Sequence, residues 1–169
     1  MTVEVRSDRS FRFSVGPAAL WSALTAVDGY RTWWPWVRRF DGVAFTEGAR
    51  WRCAVRSPLL YPVRFEVVLD EVVGGRSAAA TVSGDIGGHA RLEVTPVEGG
   101  SELRLVSALT AESRLLRAVA RLVPPLARFG HDRLLDRGVR QFTARALGRS
   151  EPRPAGPVLR EGGQVDDGG

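Results

Sequence analysis

The sequence predicts an α+β fold in which a curved antiparallel sheet of about six to seven strands wraps around a long C-terminal helix. Three observations predict it. Apolar and polar residues alternate over several segments, with the period of two that is typical of strands with one buried face. Glycine-containing turns separate these segments, as in consecutive hairpins. One long stretch near the C-terminus has helical periodicity, and it is the element available to cover the dry face of the sheet.

The composition is that of one globular domain, expected over residues 1 to 149. Of the 169 residues, 44% are hydrophobic and 25% charged, and a domain of this size needs neither metal nor disulfides. Its single cysteine, Cys53, cannot form an internal disulfide, and no signal peptide or membrane span is present. We therefore expect a cytoplasmic protein without a cofactor. Residues 150 to 169, rich in proline and glycine, are expected to be a disordered tail.

The first predicted elements are a strand and two short helices. Phe11 and Phe13 alternate with polar residues, which indicates a strand. Gly16-Pro17 ends that strand, and the proline suits the first turn of a helix. Within this helix Trp21 lies on an apolar stripe, so we expect it to pack in the core. A second short helix, or an irregular segment, is expected between residues 28 and 36.

The middle of the chain is predicted to be a meander of antiparallel strands. Turns are expected at Glu47-Gly48, Gly74-Gly75, Gly87-Gly88 and Gly99-Gly100. Alternate residues of each strand are apolar, and the positions between them are mainly polar or charged. The residues predicted to face inward are Trp51, Cys53, Val55, Val63, Phe65, Val67, Leu69, Ala90, Leu92, Val94, Leu103, Leu105 and Leu109. These inward sets contain almost no ionisable residue.

A long amphipathic helix is predicted over residues 125 to 148, after a short helix over residues 112 to 122. Pro124-Pro125 separates them, because proline is tolerated in the first turn of a helix but not in its interior. The long helix would span roughly 36 Å, enough to cross the sheet. Its inward face is predicted to hold His131, Leu135, Gly138, Val139, Phe142 and Ala146. The opposite face holds Arg133, Arg137 and Arg140.

Two features point to a ligand-binding space, and each has a structural alternative. Trp33, Trp34 and Trp36 form a cluster whose flat rings would suit a flat or polycyclic ligand, or would cap one end of the core. Gly138 lies inside the long helix, where glycine costs about 1 kcal/mol relative to alanine. It either leaves room for a cavity or allows close contact with the sheet. The sequence leaves both pairs of alternatives open.

The net charge of +5 is carried by arginine alone and is unevenly distributed. Residues 112 to 149 contain nine arginines against Glu112, Asp132 and Asp136. Much of this excess falls on the predicted solvent side of the long helix, which favours a solvated helix face. The aromatic interleaving and motifs of nucleic-acid-binding proteins are missing, so no nucleic-acid partner is expected. Weak contact with an anionic membrane surface stays open, as does the oligomeric state.

Few residues are candidates for catalysis. No set of His, Cys or carboxylate residues has metal-ligand spacing, and no nucleophile elbow or phosphate-binding loop is present. His131 would act either as a general base near neutral pH or as a structural hydrogen-bonding group. Asp132 and Asp85 are expected to serve pairing, capping or turn roles, and Tyr61 is a further candidate. His89 is expected to be solvated on the outer face.

The order of strand, helix pair, antiparallel meander and long final helix resembles the SRPBCC or START-like superfamily, which has a helix-grip, Bet v 1-like fold and includes polyketide cyclases and lipid carriers. The resemblance covers roughly residues 3 to 148. It is carried by residues 17 to 24 with their tryptophan, Tyr30-Arg31-Thr32-Trp33-Trp34-Pro35-Trp36, Gly84-Asp85-Ile86-Gly87-Gly88, and Gly130-His131-Asp132 with Gly138. The resemblance implies a hydrophobic or amphipathic ligand between the sheet and the final helix.

The functional expectation is the binding or carriage of a hydrophobic small molecule. The expected ligand-binding residues are Trp33, Trp34, Trp36, Trp51, Phe65, Leu92, Leu105, His131, Leu135, Gly138 and Phe142. The alternative is a cofactor-independent polyketide aromatase/cyclase or dehydratase in the same cavity, with His131 as its acid/base residue. The apolar inward sets favour a carrier, because an enzyme needs polar groups that converge in its pocket. A third class, a regulator that docks on a partner through the basic helix, also stays open.

Overall fold

The computed structural model describes residues 4–56, 61–122 and 124–148, apart from the side chains of residues 120, 122 and 124–130. A seven-stranded antiparallel sheet, two short helices after the first strand and a long C-terminal helix confirm the predicted α+β fold. The strands are β1 (Glu4–Phe13), β2 (Val37–Asp41), β3 (Arg50–Arg56), β4 (Pro62–Val73), β5 (Ser77–Gly84), β6 (Ile86–Val97) and β7 (Gly100–Ala111). The helices are α1 (Pro17–Thr25), α2 (Tyr30–Trp33), α3 (Arg114–Leu122) and α4 (Pro124–Phe142). The predicted tail over residues 150 to 169 lies outside the described residues.

The sheet has the strand order β1-β7-β6-β5-β4-β3-β2, and every neighbouring pair is antiparallel. Strands β2 to β7 form the predicted meander, whereas β1 pairs with β7. Cross-strand partners in an antiparallel pair share one face of the sheet. Residues predicted to face inward oppose one another in this register: Trp51 opposes Val67, and Leu92 opposes Leu105. Members of each predicted set also pack in or against the core, so the predicted faces are confirmed.

The predicted turn at Gly87-Gly88 is wrong, because both glycines lie inside β6. Strand β5 ends at Gly84 and β6 begins at Ile86, so the connection is at Asp85. Gly88 has a φ of +138°, and a Cβ atom there would lie 2.0 Å from the backbone oxygen of Ala108 on β7. Glycine is required at this position by the close approach of two strands rather than by a turn.

Asp85 holds this part of the sheet together through its backbone and its carboxylate. Its Oδ2 atom accepts a hydrogen bond from the backbone nitrogen of Arg64 at 2.8 Å, and its own backbone nitrogen donates to the Arg64 oxygen at 2.8 Å. Its backbone oxygen accepts from Glu112 at 2.9 Å and from Ser113 at 3.1 Å. One residue thus joins β4 to the segment that starts α3. Asp85 does lie in the turn, but these hydrogen bonds connect distant parts of the chain, whereas only a local turn role was expected.

The long helix α4 continues into a wider π-helical turn, Thr143–Leu147, so helical structure ends close to the predicted residue 148. The short helix α3 begins after Ser113, whose hydroxyl accepts a hydrogen bond from the backbone nitrogen of Leu116 at 3.2 Å. The inward side of the C-terminal helix is buried at Gly138, Phe142 and Ala146. Its exposed residues include Arg133, Arg137 and Arg140. The predicted orientation of the helix is confirmed.

The core occupies one end of the space between the sheet and the helices. Leu20 of α1 is completely buried there, and Phe13 of β1 meets Phe142 of α4 edge to face, with ring centroids 6.1 Å apart. The buried residues that the other strands contribute include Trp51, Leu69, Val94 and Leu103. Since large side chains interdigitate at native density, the end of the sheet beside α1 and α2 is filled.

Gly88→Ala should destabilise the protein by more than about 2 kcal/mol, because the new Cβ atom meets a fixed backbone oxygen and the positive φ strains any L residue. Gly74→Ala is the matched control, since a Cβ atom there has nothing within 4 Å. Urea denaturation of both variants and the wild type measures the difference. Equal free energies of unfolding for the two variants would contradict the close approach of β6 and β7.

Candidate functional site

Away from the core end, the inner face of the sheet is not fully covered. Phe65 on β4, Leu92 on β6 and Leu105 on β7 are on the inner face, yet each is only half-buried. Their strands have neighbours on both sides, and the sheet itself covers their other face. Phe65 also lines a depression on the other side of the sheet. The partial exposure of Leu92 and Leu105 indicates that this part of the inner face is not completely covered on the helix side.

A row of small side chains crosses the inner face of the sheet beneath α4. Ser7 on β1 opposes Ser107 on β7. Ser107 in turn opposes Ala90 on β6, and Ala90 opposes Ala80 on β5. These four residues lie side by side across the inner face, and none has more than two side-chain heavy atoms. Residues of α4 contact this row directly at the buried residues Ser7 and Ser107, and Ala80 packs against the core.

Three tryptophans join the segment around α2 to α4. Trp33 is buried, with its ring centroid 5.5 Å from that of Phe142. The indole nitrogen of Trp34 donates a hydrogen bond to the backbone oxygen of Gly138 at 2.8 Å. The indole nitrogen of Trp36 donates to a glutamine side chain of α4 at 3.1 Å. These contacts agree with the alternative that the tryptophans cap one end of the core, because each ring packs against α4 or donates a hydrogen bond to it.

Gly138 is buried against the same tryptophans. A Cβ atom built on Gly138 would lie 3.6 Å from Nε1 of Trp34 and 3.7 Å from Cζ2 of Trp36. Both distances are ordinary van der Waals contacts, so indole rings occupy the space that a cavity at this point would need. The glycine allows close packing with Trp34 and Trp36, whereas the two interpretations from the sequence were a cavity and close contact with the sheet.

Two groups at the aromatic end are held neutral by burial. The hydroxyl of Tyr30 donates to the backbone oxygen of Leu24 at 2.5 Å, and burial raises the pKa of Tyr30 well above its ordinary value. Burial, with a smaller effect from the charge of Asp41, raises the pKa of the Cys53 thiol to about 12. Neither residue supplies a base or a nucleophile near neutral pH. Trp51 is buried beside them, 5.9 Å from the Tyr30 ring.

His131 is the imidazole on the inward side of α4, and it contacts the row of small residues. Its Nε2 atom lies 3.3 Å from the hydroxyl oxygen of Ser107. Ser107 is buried, and His131 is half-buried. Burial lowers the pKa of His131, and the negative charge of Asp132 opposes that effect. The imidazole is therefore mainly neutral near pH 7, with one ring nitrogen able to donate and the other to accept a hydrogen bond.

Next to His131, an ion-pair cluster links α4 to the edge strand β1. Arg9 Nη2 lies 2.6 Å from Asp136 Oδ1, and Arg9 Nη1 lies 3.7 Å from Asp132 Oδ1. The hydroxyl of Ser7 donates to the same oxygen of Asp132 at 3.5 Å. Asp132 thus has the pairing role that was expected for it.

The sequence pattern missed Ser7, Arg9 and Ser107 as inward residues. Strand β1 was expected to begin near Phe11, but it begins at Glu4. Continuing the alternation of Phe11 backwards would have placed Arg9 and Ser7 on the inner face. The expectation that the inward sets hold almost no ionisable residue is therefore wrong for β1, where tertiary ion pairs compensate the charge of Arg9.

The remaining candidates lie elsewhere or at the margin of this space. Leu135 is half-buried on α4, one turn after His131. His89 is exposed on the outer face of β6, as expected. Tyr61 is half-buried just before β4. Trp21 packs edge-on against Phe45, with ring centroids 5.8 Å apart, in agreement with its predicted role in packing.

A depression of about 550 Å³ also lies on the outer face of the sheet. Its lining combines charged and polar residues with smaller and apolar ones: Arg39, Arg52, Arg64, Glu66, Ser83, Cys53, Ala54, Phe65 and Gly84. Arg50 and Arg52 approach Glu66 at 2.9 and 3.8 Å, so part of the surrounding surface consists of solvated ion pairs. An apolar ligand needs a predominantly apolar concave surface. We therefore assign the candidate site to the helix side of the sheet.

Within the described part of the chain, no group of three or more His, Cys, Asp or Glu residues is placed to hold a metal ion. None of the helices over these residues is both long and apolar enough to span a membrane.

Comparison with known proteins identifies a family and several structural relatives. The model of the family described as "Polyketide cyclase / dehydrase and lipid transport" matches residues 4–148. The comparison with curated protein sequences gave no match.

Two solved structures illustrate the structural relatives. A START superfamily protein from Mycobacterium smegmatis aligns over 86% of this chain and 99% of its own, with 12% identity and a TM-score of 0.66. A point mutant of norcoclaurine synthase from Thalictrum flavum, in complex with a transition-state analogue, aligns over 89% of this chain and 99% of its own, with 10% identity and a TM-score of 0.65. At such low identity these likenesses show the fold alone.

Two substitutions at Gly138 test how closely α4 packs on the tryptophans. Gly138→Ala should be neutral or stabilising by up to about 1 kcal/mol, because its Cβ atom makes ordinary contacts and alanine favours the helix. Gly138→Leu should cost about 1 to 3 kcal/mol, because its further atoms overlap the indole rings. Chemical denaturation of both variants measures this. A leucine variant as stable as the alanine variant would reveal open space beside Gly138.

The pH dependence of stability tests the burial of His131. Its folded-state pKa is below its unfolded value, so the unfolded chain binds the proton first as the pH falls. The free energy of unfolding should therefore decrease as the pH drops through about 6.5. His131→Gln should reduce this decrease, whereas His89→Gln, at an exposed site, should retain it. Parallel profiles for wild type and His131→Gln between about pH 8 and pH 5 would contradict the buried, neutral imidazole.

Proposed function

The chain belongs to the polyketide cyclase / dehydrase and lipid transport family, and from that membership we propose that it binds and carries a hydrophobic or amphipathic small molecule between the sheet and α4. One observation carries the proposal. Phe65, Leu92 and Leu105 remain half-buried on the inner face of interior strands. An apolar surface that faces a sheltered, accessible space is stabilised when an apolar ligand displaces water from it.

The size of the expected gain supports binding at useful affinity. A ligand that buries about 300 Å² of apolar surface gains roughly 7 kcal/mol before the costs of association, at about 25 cal/mol per Å². Loss of translational and rotational freedom removes several kcal/mol of this gain. For a ligand of this size, affinity of about millimolar or weaker follows, and micromolar affinity requires a ligand that buries more apolar surface.

The expected ligand-binding residues divide into three groups by their contacts. We assign direct ligand contact to Phe65, Leu92, Leu105, His131 and Leu135, which are all half-buried around the space. Trp34 and Trp36 are assigned to the wall next to α4, since both are half-buried and bonded to it. Support of the closed end is assigned to Trp33, Trp51, Gly138 and Phe142, which are buried. The residues that support the closed end would affect binding mainly by fixing the position of α4.

The alternative is a cofactor-independent aromatase/cyclase or dehydratase that acts on a polyketide-like substrate. His131 favours it, because a mainly neutral imidazole beside an apolar space is suited to accept a proton. Norcoclaurine synthase, a structural neighbour, illustrates that enzymes also have this fold. Carriage is preferred because Arg9, Asp132 and Asp136 pair with one another, and His131 and Ser107 are the polar pair assigned to the space.

Weak contact with an anionic membrane surface forms a further part of the proposal. Helix α3 contains three arginines and no acidic residue, and Leu115 on this helix is 47% exposed. Apolar insertion and attraction to anionic lipid act together at a membrane interface. A carrier with such a helix would approach the surface that holds its cargo. A regulator that docks on a protein partner would use the same helix.

Filling the space should abolish ligand binding. Ala90→Leu adds a large side chain to the row of small residues and should weaken binding of a neutral apolar dye such as Nile red at least about tenfold. Ala108→Leu, on the outer face of the neighbouring strand β7, is the matched control and should leave dye binding unchanged. Fluorescence titration measures binding, and thermal unfolding checks that both variants fold.

Native mass spectrometry of freshly purified wild-type protein provides an independent readout, because a carrier should retain a molecule of defined mass. If the wild type binds no apolar dye and retains nothing, carriage of a hydrophobic molecule is ruled out. If Ala90→Leu and Ala108→Leu bind the dye equally well, the ligand does not occupy the space beneath α4.

A further inference from the structure

We propose that the ligand carries one uncharged hydroxyl or carbonyl group, and that the pair formed by His131 and Ser107 recognises it. This inference rests on the proposed carriage of a hydrophobic molecule and specifies its chemical class. It follows from the position of one polar pair on an otherwise apolar part of the inner face.

Ser107 has apolar neighbours in every direction along the inner face except towards β1. Leu105 and Leu109 flank it on its own strand, and Ala90 opposes it on β6. Ser107 is buried, with only 6% of its surface exposed. Burying a hydroxyl without partners is costly, and on this face His131 is its partner at 3.3 Å.

The pair retains hydrogen-bonding capacity for a ligand. A serine hydroxyl has one donor and two acceptor positions, and a neutral imidazole has one donor and one acceptor. The contact between Ser107 and His131 uses one donor and one acceptor. A ligand hydroxyl or carbonyl in the adjoining space would find a donor or an acceptor from the same two side chains.

The charges nearby disfavour an ionised ligand group. Arg9, the cation of this region, is held by Asp136 at 2.6 Å and approaches Asp132 at 3.7 Å. Among the described side chains on the inner face beside this pair, Arg9 is the cation, and its charge is already compensated by two acidic side chains. An ionised group would lose hydration without gaining a counter-charge. An uncharged polar group avoids this cost.

The space beside the pair allows the ligand to reach it. Ala90 and Ala80 continue the row that begins at Ser7 and Ser107, so the cross-strand neighbours of Ser107 within the sheet are small. In the next row Leu92 opposes Leu105 and provides an apolar surface for the body of the ligand. The polar end of the ligand would lie at Ser107 and its apolar body over the leucines.

Displacement of Nile red by three matched probes tests this inference with the full chain. Naphthalene, 2-naphthol and 2-naphthoate share one apolar body and differ in carrying no polar group, a hydroxyl or a carboxylate. The wild type should bind 2-naphthol about threefold to tenfold more tightly than naphthalene, as expected for one net hydrogen bond. It should bind 2-naphthoate no more tightly than naphthalene.

Substitutions then test whether Ser107 and His131 cause the preference for 2-naphthol over naphthalene. Ser107→Ala and His131→Leu should each remove the preference for 2-naphthol while naphthalene still binds. Ser83→Ala, on the exposed outer end of β5, is the matched control and should keep the preference. His131→Gln, which retains a donor and an acceptor, should keep part of it.

Each outcome separates this inference from the proposed function. If the wild type binds Nile red and does not distinguish 2-naphthol from naphthalene, or if it prefers 2-naphthoate, the inference is overturned and carriage stands. If Ser107→Ala and His131→Leu both retain the preference, recognition by this pair is overturned. If neither Nile red nor any naphthalene probe binds to the wild type, the proposed function fails and the inference fails with it.

Discussion

The position of α4 over the sheet is the constraint on which the rest of the structure depends. Aromatic packing fixes the C-terminal half of the helix, where Phe142 meets Phe13 at 6.1 Å and Trp33 at 5.5 Å. Polar contacts hold the same half, because Trp34 donates to the backbone of α4 at 2.8 Å and Arg145 donates to the backbone oxygen of Trp33 at 2.9 Å. Polar groups beside buried rings are costly to leave unpaired. These contacts therefore fix the depth of the helix as well as its direction.

The middle of α4 is held by a different type of interaction. Arg9 joins Asp132 and Asp136 through partly exposed ion pairs, and such pairs contribute only about 0.2 to 1 kcal/mol each. Between these pairs and the aromatic end, the sheet presents small residues such as Ala90 rather than side chains that would fill the gap. In this region α4 meets the sheet through polar contacts, with Ser7 and Arg9 of β1 and Ser107 of β7, rather than through large apolar side chains. Apolar residues such as Leu92 remain only half-buried there.

Much of the architecture could be predicted because it depends on local periodicity. Alternation assigned residues such as Trp51 and Leu92 to the inner face, and helical spacing assigned Phe142 to the inward side of the last helix. The errors occurred where a local signal had a non-local cause. Gly87-Gly88 suggested a turn, but Gly88 is needed because Ala108 of another strand approaches within 2.0 Å of its Cβ position. Arg9 was not assigned to the inner face because the alternation was followed only from Phe11 onwards, and its charge is tolerated there because Asp132 and Asp136 of the distant helix α4 compensate it.

By itself the sequence determined the fold class, the faces of the strands and helices, and the family resemblance, since these depend on the spacing of apolar residues along the chain. Only the tertiary structure decided what fills the space beside Gly138 and which polar groups meet beneath α4. Trp34 reaches Gly138 across 104 positions, and His131 reaches Ser107 across 24. Such contacts depend on strand register and on the placement of the helix over the sheet. Periodicity assigns a residue to a face, but packing in three dimensions selects its neighbours.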